Sequence, residues 1–250
     1  WWRRSGLYKR QFPGVSVIKD ADGIALTVTE ASDGTGSITF TSTADLAGLT
    51  ITPPANSGDD ITLSLRATDS DGGDAATATA TIVVDAVADQ PTLSAQAASG
   101  DEDSAIALTI STDVTDTDGS ESITSVVITN VPVDAELSSG VEGPAGTWTI
   151  SDIDGGADIA TQLSGLTVTP EADSTADFQL VVTTHSQDVD PETDAITTNS
   201  NSTTLDVSVN AVDDVAVVSG GGSGDEASAI ALNLAARVPD SGGTISSVTV

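Results

Sequence analysis

Short runs that alternate apolar residues with Thr or Ser recur along the chain and set the expected architecture. "AIALTI" (105–110), "SITSVVIT" (122–129), "TWTIS" (147–151), "LTVTP" (166–170), "FQLVVTT" (178–184) and "TTLDVSVNAV" (203–212) are short and rich in β-branched residues. A two-residue period is that of a half-buried strand, whose side chains point alternately to two faces. Clusters of Gly, Asp, Asn, Ser and Pro separate these runs and read as turns. No long segment carries a convincing helical period. Six or seven strands in about 120 residues point to an antiparallel β-sandwich of immunoglobulin-like or cadherin-like type. The expected fold class is therefore all-β, with tandem antiparallel sandwiches. Trp148, the one Trp outside residues 1–14, falls in such a strand and reads as a core anchor.

The tandem arrangement comes from internal repetition. "GDEDSAIALTI" (100–110) returns as "GDEASAIALNL" (224–234), with eight of eleven positions identical. "GLTITPPANSGDDITLSL" (48–65) returns as "GLTVTPEADSTADFQLVV" (165–182), and "VVDAVAD" (83–89) as "SVNAVDD" (208–214). The offsets are 124, 117 and 125, and such drift is what insertions in surface loops produce. A period of about 120 residues is too long for a solenoid unit and matches an independent domain. The expected organisation is an atypical basic and aromatic segment at 1–14, disordered or non-native, a partial repeat at 15–90, a complete repeat at 91–214, and the start of a further, truncated one at 215–250. "GGGSGD" (220–225) reads as a flexible linker.

Charge changes the picture most. The 250 residues carry 38 acidic and 7 basic side chains, a formal net charge of -31, and five of the basic groups lie in the first nineteen positions. Nucleic acid is not an expected partner for such a chain, since binding it needs positive charge against phosphate. Self-repulsion of this size destabilises a compact state unless cations neutralise it. There is no Cys, so disulfides and thiolate chemistry are excluded, and no Met, so a chain that opens on Trp1 reads as a fragment of a longer product. No apolar run reaches the length of a membrane-spanning helix, and no membrane span is expected.

The acids gather in turns: "DSDGGD" (69–74), "GDED" (100–103), "DTDGSE" (116–121), "DIDGGAD" (152–158), "DVDPETD" (188–194) and "AVDD" (211–214). Calcium takes six to eight oxygen ligands, and Asp-x-Asp on a turn can point two carboxylates one way. The same residues are also ordinary turn formers. An EF-hand starting at Asp116 fails, because its sixth and twelfth positions are Glu121 and Val127 rather than Gly and Glu. Catalysis finds little support. Paired carboxylates serve glycosidases, but these recur on turns of a repeated module. The single histidine, His185, has Thr68 as its counterpart one repeat earlier. No enzymatic activity is expected.

"DTDGSESITSVVITNVP", "GTWTIS", "GLTVTP" and "VSVNAVDD" together resemble the tandem repeats of giant bacterial type I-secreted adhesins, of the repeats-in-toxin and biofilm-associated kind. The resemblance covers residues 15–250. It implies calcium-stiffened extracellular spacer repeats, secreted or attached to the bacterial cell surface, that support cell adhesion and biofilm formation. The implied partners are calcium ions, neighbouring repeats of the same chain, and host-cell or biofilm surface ligands. The alternative is a repeat that itself binds a glycan or other surface ligand, against which the scarcity of aromatic residues counts. "AVADQP" (86–91) is similar to the acidic junction of cadherins. Carried over, Asp85, Asp89, Glu102, Asp103, Asp116, Asp118 and Glu121 combine at one junction. Asp213, Asp214, Asp225, Glu226 and Asp240 are their counterparts at the next, where Ala227 replaces Asp103. Asp69, Asp71, Asp188 and Asp190 are further candidate calcium ligands.

Overall fold

The structure is a computed structural model. It describes residues 16–30, 36–67, 76–116, 119–152, 158–239 and 243–250, and the backbone alone at 5–9 and at residue 30. The protein is all-β. Among the described pairings its strands run antiparallel, except that Ala98–Asp101 runs parallel to Ile196–Asn210. The chain forms two compact units that do not follow sequence order. The first holds residues 1–90, 114–122 and 186–199, and the second holds 91–113, 123–185 and 200–250.

In the first unit a five-stranded sheet runs in the order Thr29–Glu30, Gly36–Phe40, Ser5–Lys9, Ile61–Ala67, Ala76–Ile82. Ser5–Lys9, inside the segment that the sequence sets apart, pairs on both sides, with Leu7 opposite Ile38 and Leu65. A second pair, Val17–Lys19 with Thr50–Thr52, lies in the same unit. Ile18, Ile38 and Phe40 are buried, with Leu26, Val28, Leu46, Leu49 and Ile51 packed partly buried around them. The acidic turn after Lys19 satisfies itself, because Asp20 Oδ1 accepts from the Asp22 and Ile24 amides at 3.0 and 2.8 Å. A turn carboxylate used in this way needs no ion.

The second unit has the larger core. Its three-stranded sheet orders Ile106–Ala107, Thr167–Thr169 and Glu136–Leu137. A six-stranded sheet, which lies in this unit except for residues 121–122, 186–189 and 196–199, orders Val141–Gly143, Thr147–Ile150, Glu121–Thr129, Phe178–Val189, Ile196–Asn210 and Ala98–Asp101. Ile106, Leu137 and Val168 of the smaller sheet and Val126, Ile128, Trp148, Ile150, Leu180, Val182 and Leu205 of the larger one join a single buried cluster. Two sheets sharing one core make this a β-sandwich. Trp148 is 9% exposed and stands opposite Ile128 and Glu142, in the core role its strand position predicts.

Repetition in sequence is repetition in structure. Thr92–Gln96 pairs with Thr109–Asp113, and Val217–Gly221 pairs with Asn233–Arg237. Thr92 faces Asp113 as Val217 faces Arg237, and Gln96 faces Thr109 as Gly221 faces Asn233, so the register is the same. The expected linker at 220–225 is therefore corrected in part. Gly220 and Gly221 are strand residues, and the missing side chain at Gly220 makes room for Leu234. A second shared device is a carboxylate clamp. Asp60 Oδ1 accepts from the Val84 amide at 3.0 Å, and one repeat later Asp177 Oδ1 accepts from the Val209 amide at 2.8 Å.

A short helix, Ile159–Ser164, interrupts the strands and buries Ile159, Gln162 and Leu163. The ends of "DIDGGAD" build its start. Asp158 is the N-cap and accepts from the Thr161 amide at 2.7 Å, and Asp152 accepts from the Ile159 amide at 3.0 Å. The bonds from Thr161 hold the Asp158 carboxyl below its ordinary range. Its stabilising contribution is thus present above the usual Asp range and lost as pH falls through the lowered value. Asp158→Ala lowers the melting temperature at pH 7, and the difference from the parent shrinks towards zero in melts at pH 2.

Candidate metal centre

The strand Phe178–Val189 buries every even-numbered residue from Leu180 to Asp188. The chemistry on that buried side changes along its length, from Leu180 and Val182 through Thr184 and Ser186 to Asp188, each at most 1% exposed. Its neighbour Glu121–Thr129 buries Glu121, then Val126 and Ile128, an odd-to-even switch of the kind a β-bulge produces. The Val189 amide donates to the Ser120 carbonyl at 3.4 Å. That bond sets Ser120 opposite Val189, and so Glu121 opposite Asp188 at a pair without mutual hydrogen bonds. Directly opposed Cβ atoms lie about 5 Å apart. Both residues belong to the first unit.

Glu121 is 6% and Asp188 is 1% exposed, and all four carboxylate oxygens lack a hydrogen-bond partner among the described residues. Buried polar groups are almost always bonded, and a buried charge is paired or coordinates a metal. Among the described residues of the first unit, these are the two buried carboxylates with both oxygens unpartnered.

The surroundings add oxygen atoms. The segment 86–89 lies along 186–190, with the Ser186 hydroxyl donating to the Asp89 carbonyl at 3.2 Å and the Ala86 amide to Asp190 Oδ2 at 3.3 Å. Thr197 Oγ1 accepts from the Ala88 amide at 2.7 Å, and Asn199 Nδ2 donates to the Ala88 carbonyl at 3.0 Å. Asp85, Asp89 and Asp116 line one cleft of about 310 Å³ with Asn56, whose amide nitrogen donates to the Thr115 carbonyl at 2.9 Å. Asp190 does different work from its neighbour Asp188. Its Oδ1 accepts from the Glu192 and Thr193 amides and the Thr193 hydroxyl, so its carboxyl is held low, chiefly by Thr193. Glu192 is pushed up, first by desolvation and then by the like charges of Asp60, Asp190 and Asp59.

The sequence-predicted ligands are thus sorted by the fold. Asp85, Asp89, Asp116, Glu121, Asp188 and Asp190 fall in the first unit, and Glu102, Asp103, Asp213, Asp214, Asp225 and Glu226 in the second. The junction set that includes Glu102 and Asp103 thus draws on both units. Asp69, Asp71, Asp118 and Asp240 lie outside the described residues. Asp213, Asp225 and Glu226 are exposed. Asp214 gathers with Asp103 and with Asp173, which the sequence reading missed, their carboxylate oxygens lying within 4.8 Å of one another. The available signal was the repeat itself, because Asp173 is the counterpart of Asn56 at an offset of 117.

Calcium fits the donor set at Glu121 and Asp188. The donors are hard oxygens, carboxylates dominate, and there is no thiolate to favour a softer metal. Glu121 and Asp188 are the side chains that would hold it. Bound there, the ion would supply positive charge to a pair of carboxylates that have no hydrogen-bond partner among the described residues.

No helix among the described residues is long and apolar enough to cross a membrane. A scan against protein families finds none that matches the chain, and no curated protein matches it. Among solved structures it is similar to a chimeric titin Z1Z2 functionalised with a KLER exogenous peptide from decorin. The identity is 15%, over 82% of this chain and 88% of that one, with a TM-score of 0.26. A likeness that distant carries no functional argument, and the all-β assignment rests on the strands themselves.

Proposed function

We propose that this chain is a calcium-binding structural module, a spacer from a large extracellular bacterial adhesin of the repeats-in-toxin or biofilm-associated kind, and not an enzyme. The observation that carries the calcium reading is the pair Glu121 and Asp188, buried, opposed and without hydrogen-bond partners among the described residues. Two ionised carboxylates in that setting repel each other and forgo solvation, at a cost of several kcal/mol per ion. A divalent cation removes both penalties at once. The charge of -31 points the same way, since a chain this acidic is stiffer and more compact with counter-ions bound. The repeated sandwich supports the spacer role, because each repeat adds length without a new catalytic constellation.

Calcium titration followed by small-angle scattering and thermal melting tests this reading. Millimolar calcium raises the melting temperature and changes the scattering dimensions relative to chelator, with magnesium much less effective. Identical dimensions and stability in chelator and in calcium overturn it.

A further inference from the structure

We propose that the edge strand Ala76–Ile82 of the first unit is a self-association surface. It pairs antiparallel with the same strand of a second copy of this chain, across a twofold axis at Thr79. Ala76–Ile82 ends its five-stranded sheet and pairs with Ile61–Ala67 on one side. Residues 76–81 are exposed, and among the described residues no strand pairs with the other side. The backbone N–H and C=O groups along that side are a template for a further strand.

Exposed edges are common, and folds guard them with charge, Pro, bulges or covering segments. This edge has none of these. Residues 75–84 carry no charge, no Pro and no Gly, in a chain with a formal net charge of -31. The pairing with Ile61–Ala67 runs through consecutive residues without a bulge. The counterpart strand in the second unit is guarded twice. At an offset of 125, Asp206 takes the place of Thr81, and Ala98–Asp101 closes that strand at Val207–Asn210. The other edge of the first unit's sheet, Thr29–Glu30, is two residues long and charged. Pairing at Ala76–Ile82 therefore closes at two copies and does not run on into a fibre.

Charge and sequence together select the occupant. A cationic partner would be drawn to the acidic turns and not to an uncharged strand. A second copy, repelled at those turns, meets no charge along Ala76–Ile82. The strand "ATATATI" also reads nearly the same in both directions about Thr79. Set antiparallel there, its residues all overlap, with Thr77 opposite Thr81, Ala78 opposite Ala80 and Thr79 opposite itself. Cross-strand Thr pairs are favourable, and a twofold contact needs a surface that complements itself. One strand a side is well short of the about 20–30 residues of a standard interface, so the pair is weak, with a dissociation constant on the order of 100 µM. The proposal does not depend on the calcium reading.

Sedimentation velocity of the full chain in chelator, at rising concentration and in low and high salt, shows a monomer–dimer equilibrium. High salt strengthens the dimer, because it screens the repulsion between two chains of charge -31. Thr79→Lys sets two ammonium groups opposite each other at the axis and weakens the dimer at least roughly tenfold, although it lowers the net charge. Thr39→Lys makes the same charge change at an exposed position of an interior strand and leaves the dimer intact. Circular dichroism of both variants matches the parent. Because the chain has no Cys, Thr79→Cys reports the axis directly, where opposed Cβ atoms lie about 5 Å apart. Mild oxidation links that variant into a covalent dimer and leaves Thr39→Cys monomeric. A parent that stays monomeric at every concentration and in both salts overturns the proposal. So does a dimer that Thr79→Lys leaves unchanged, or one that Thr79→Cys captures no faster than Thr39→Cys.

Discussion

Replacing Glu121 and Asp188 together, by Gln and Asn, reverses the order of stability between chelator and calcium. In chelator the double variant melts above the parent, and in millimolar calcium it melts below. The parent without calcium holds two buried, opposed carboxylates with no partners among the described residues, and an uncompensated buried charge costs about 3–5 kcal/mol. The amides that replace them are also short of partners, but an unsatisfied neutral group costs only about 1–3 kcal/mol. The charge term is the larger, so the variant gains about 2 kcal/mol in chelator. Calcium then stabilises the parent by about 2.7 kcal/mol at a hundredfold excess over its dissociation constant, and does nothing for the variant at this site. For a domain of this size the calcium-induced shift in the parent is about 10 °C or more. Differential scanning calorimetry in the two buffers reads the crossing directly, and the same order of melting in both would sink the metal reading of this pair.

The second large effect belongs to the core. Trp148→Ala costs about 3–5 kcal/mol, the range for deleting a buried aromatic side chain. Trp148 is 9% exposed, on a strand paired on both sides and within the cluster shared by the two sheets. The cluster around it is aliphatic apart from the partly buried Phe178 at its margin, and side chains such as Ile128 and Ile150 can collapse only in part. Urea denaturation should show a midpoint lower by about 2 M, for a slope of about 2 kcal/mol per molar. Calcium stoichiometry should not change. A loss below about 1 kcal/mol would mean that Trp148 is not the anchor its burial indicates.

The strands were legible because their apolar residues keep the two-residue period, and the repeat was legible because whole phrases recur. Legibility stopped where the period continued without apolar residues. The sequence places a strand at 178–184, ending as Leu180 and Val182 give way to polar positions, whereas Phe178–Val189 continues with Thr184, Ser186 and Asp188 just as buried. Hydropathy reports chemistry and the pleat reports geometry, and at a polar site inside a fold the two part company. The acidic residues themselves were all visible, but their grouping was not. Glu121 meets Asp188 through pairing across 67 positions of chain, and Asp214 meets Asp103 and Asp173 in the same long-range way. A count of acids within one turn cannot see such closure. It sets Asp158, which caps its own helix, in the same kind of cluster as Asp188.

The alternation along Phe178–Val189 also bears on how the chain finds its pairing. A slip of one residue against Glu121–Thr129 would bring Gln187 or Val189 opposite Glu121 in place of Asp188, and would turn Leu180 and Val182 away from the core. An ion that needs both carboxylates binds the correct alignment and ignores the slipped ones. Calcium present during folding would then act as a proofreader of strand register, speeding the approach to a single native pairing as well as holding it once formed.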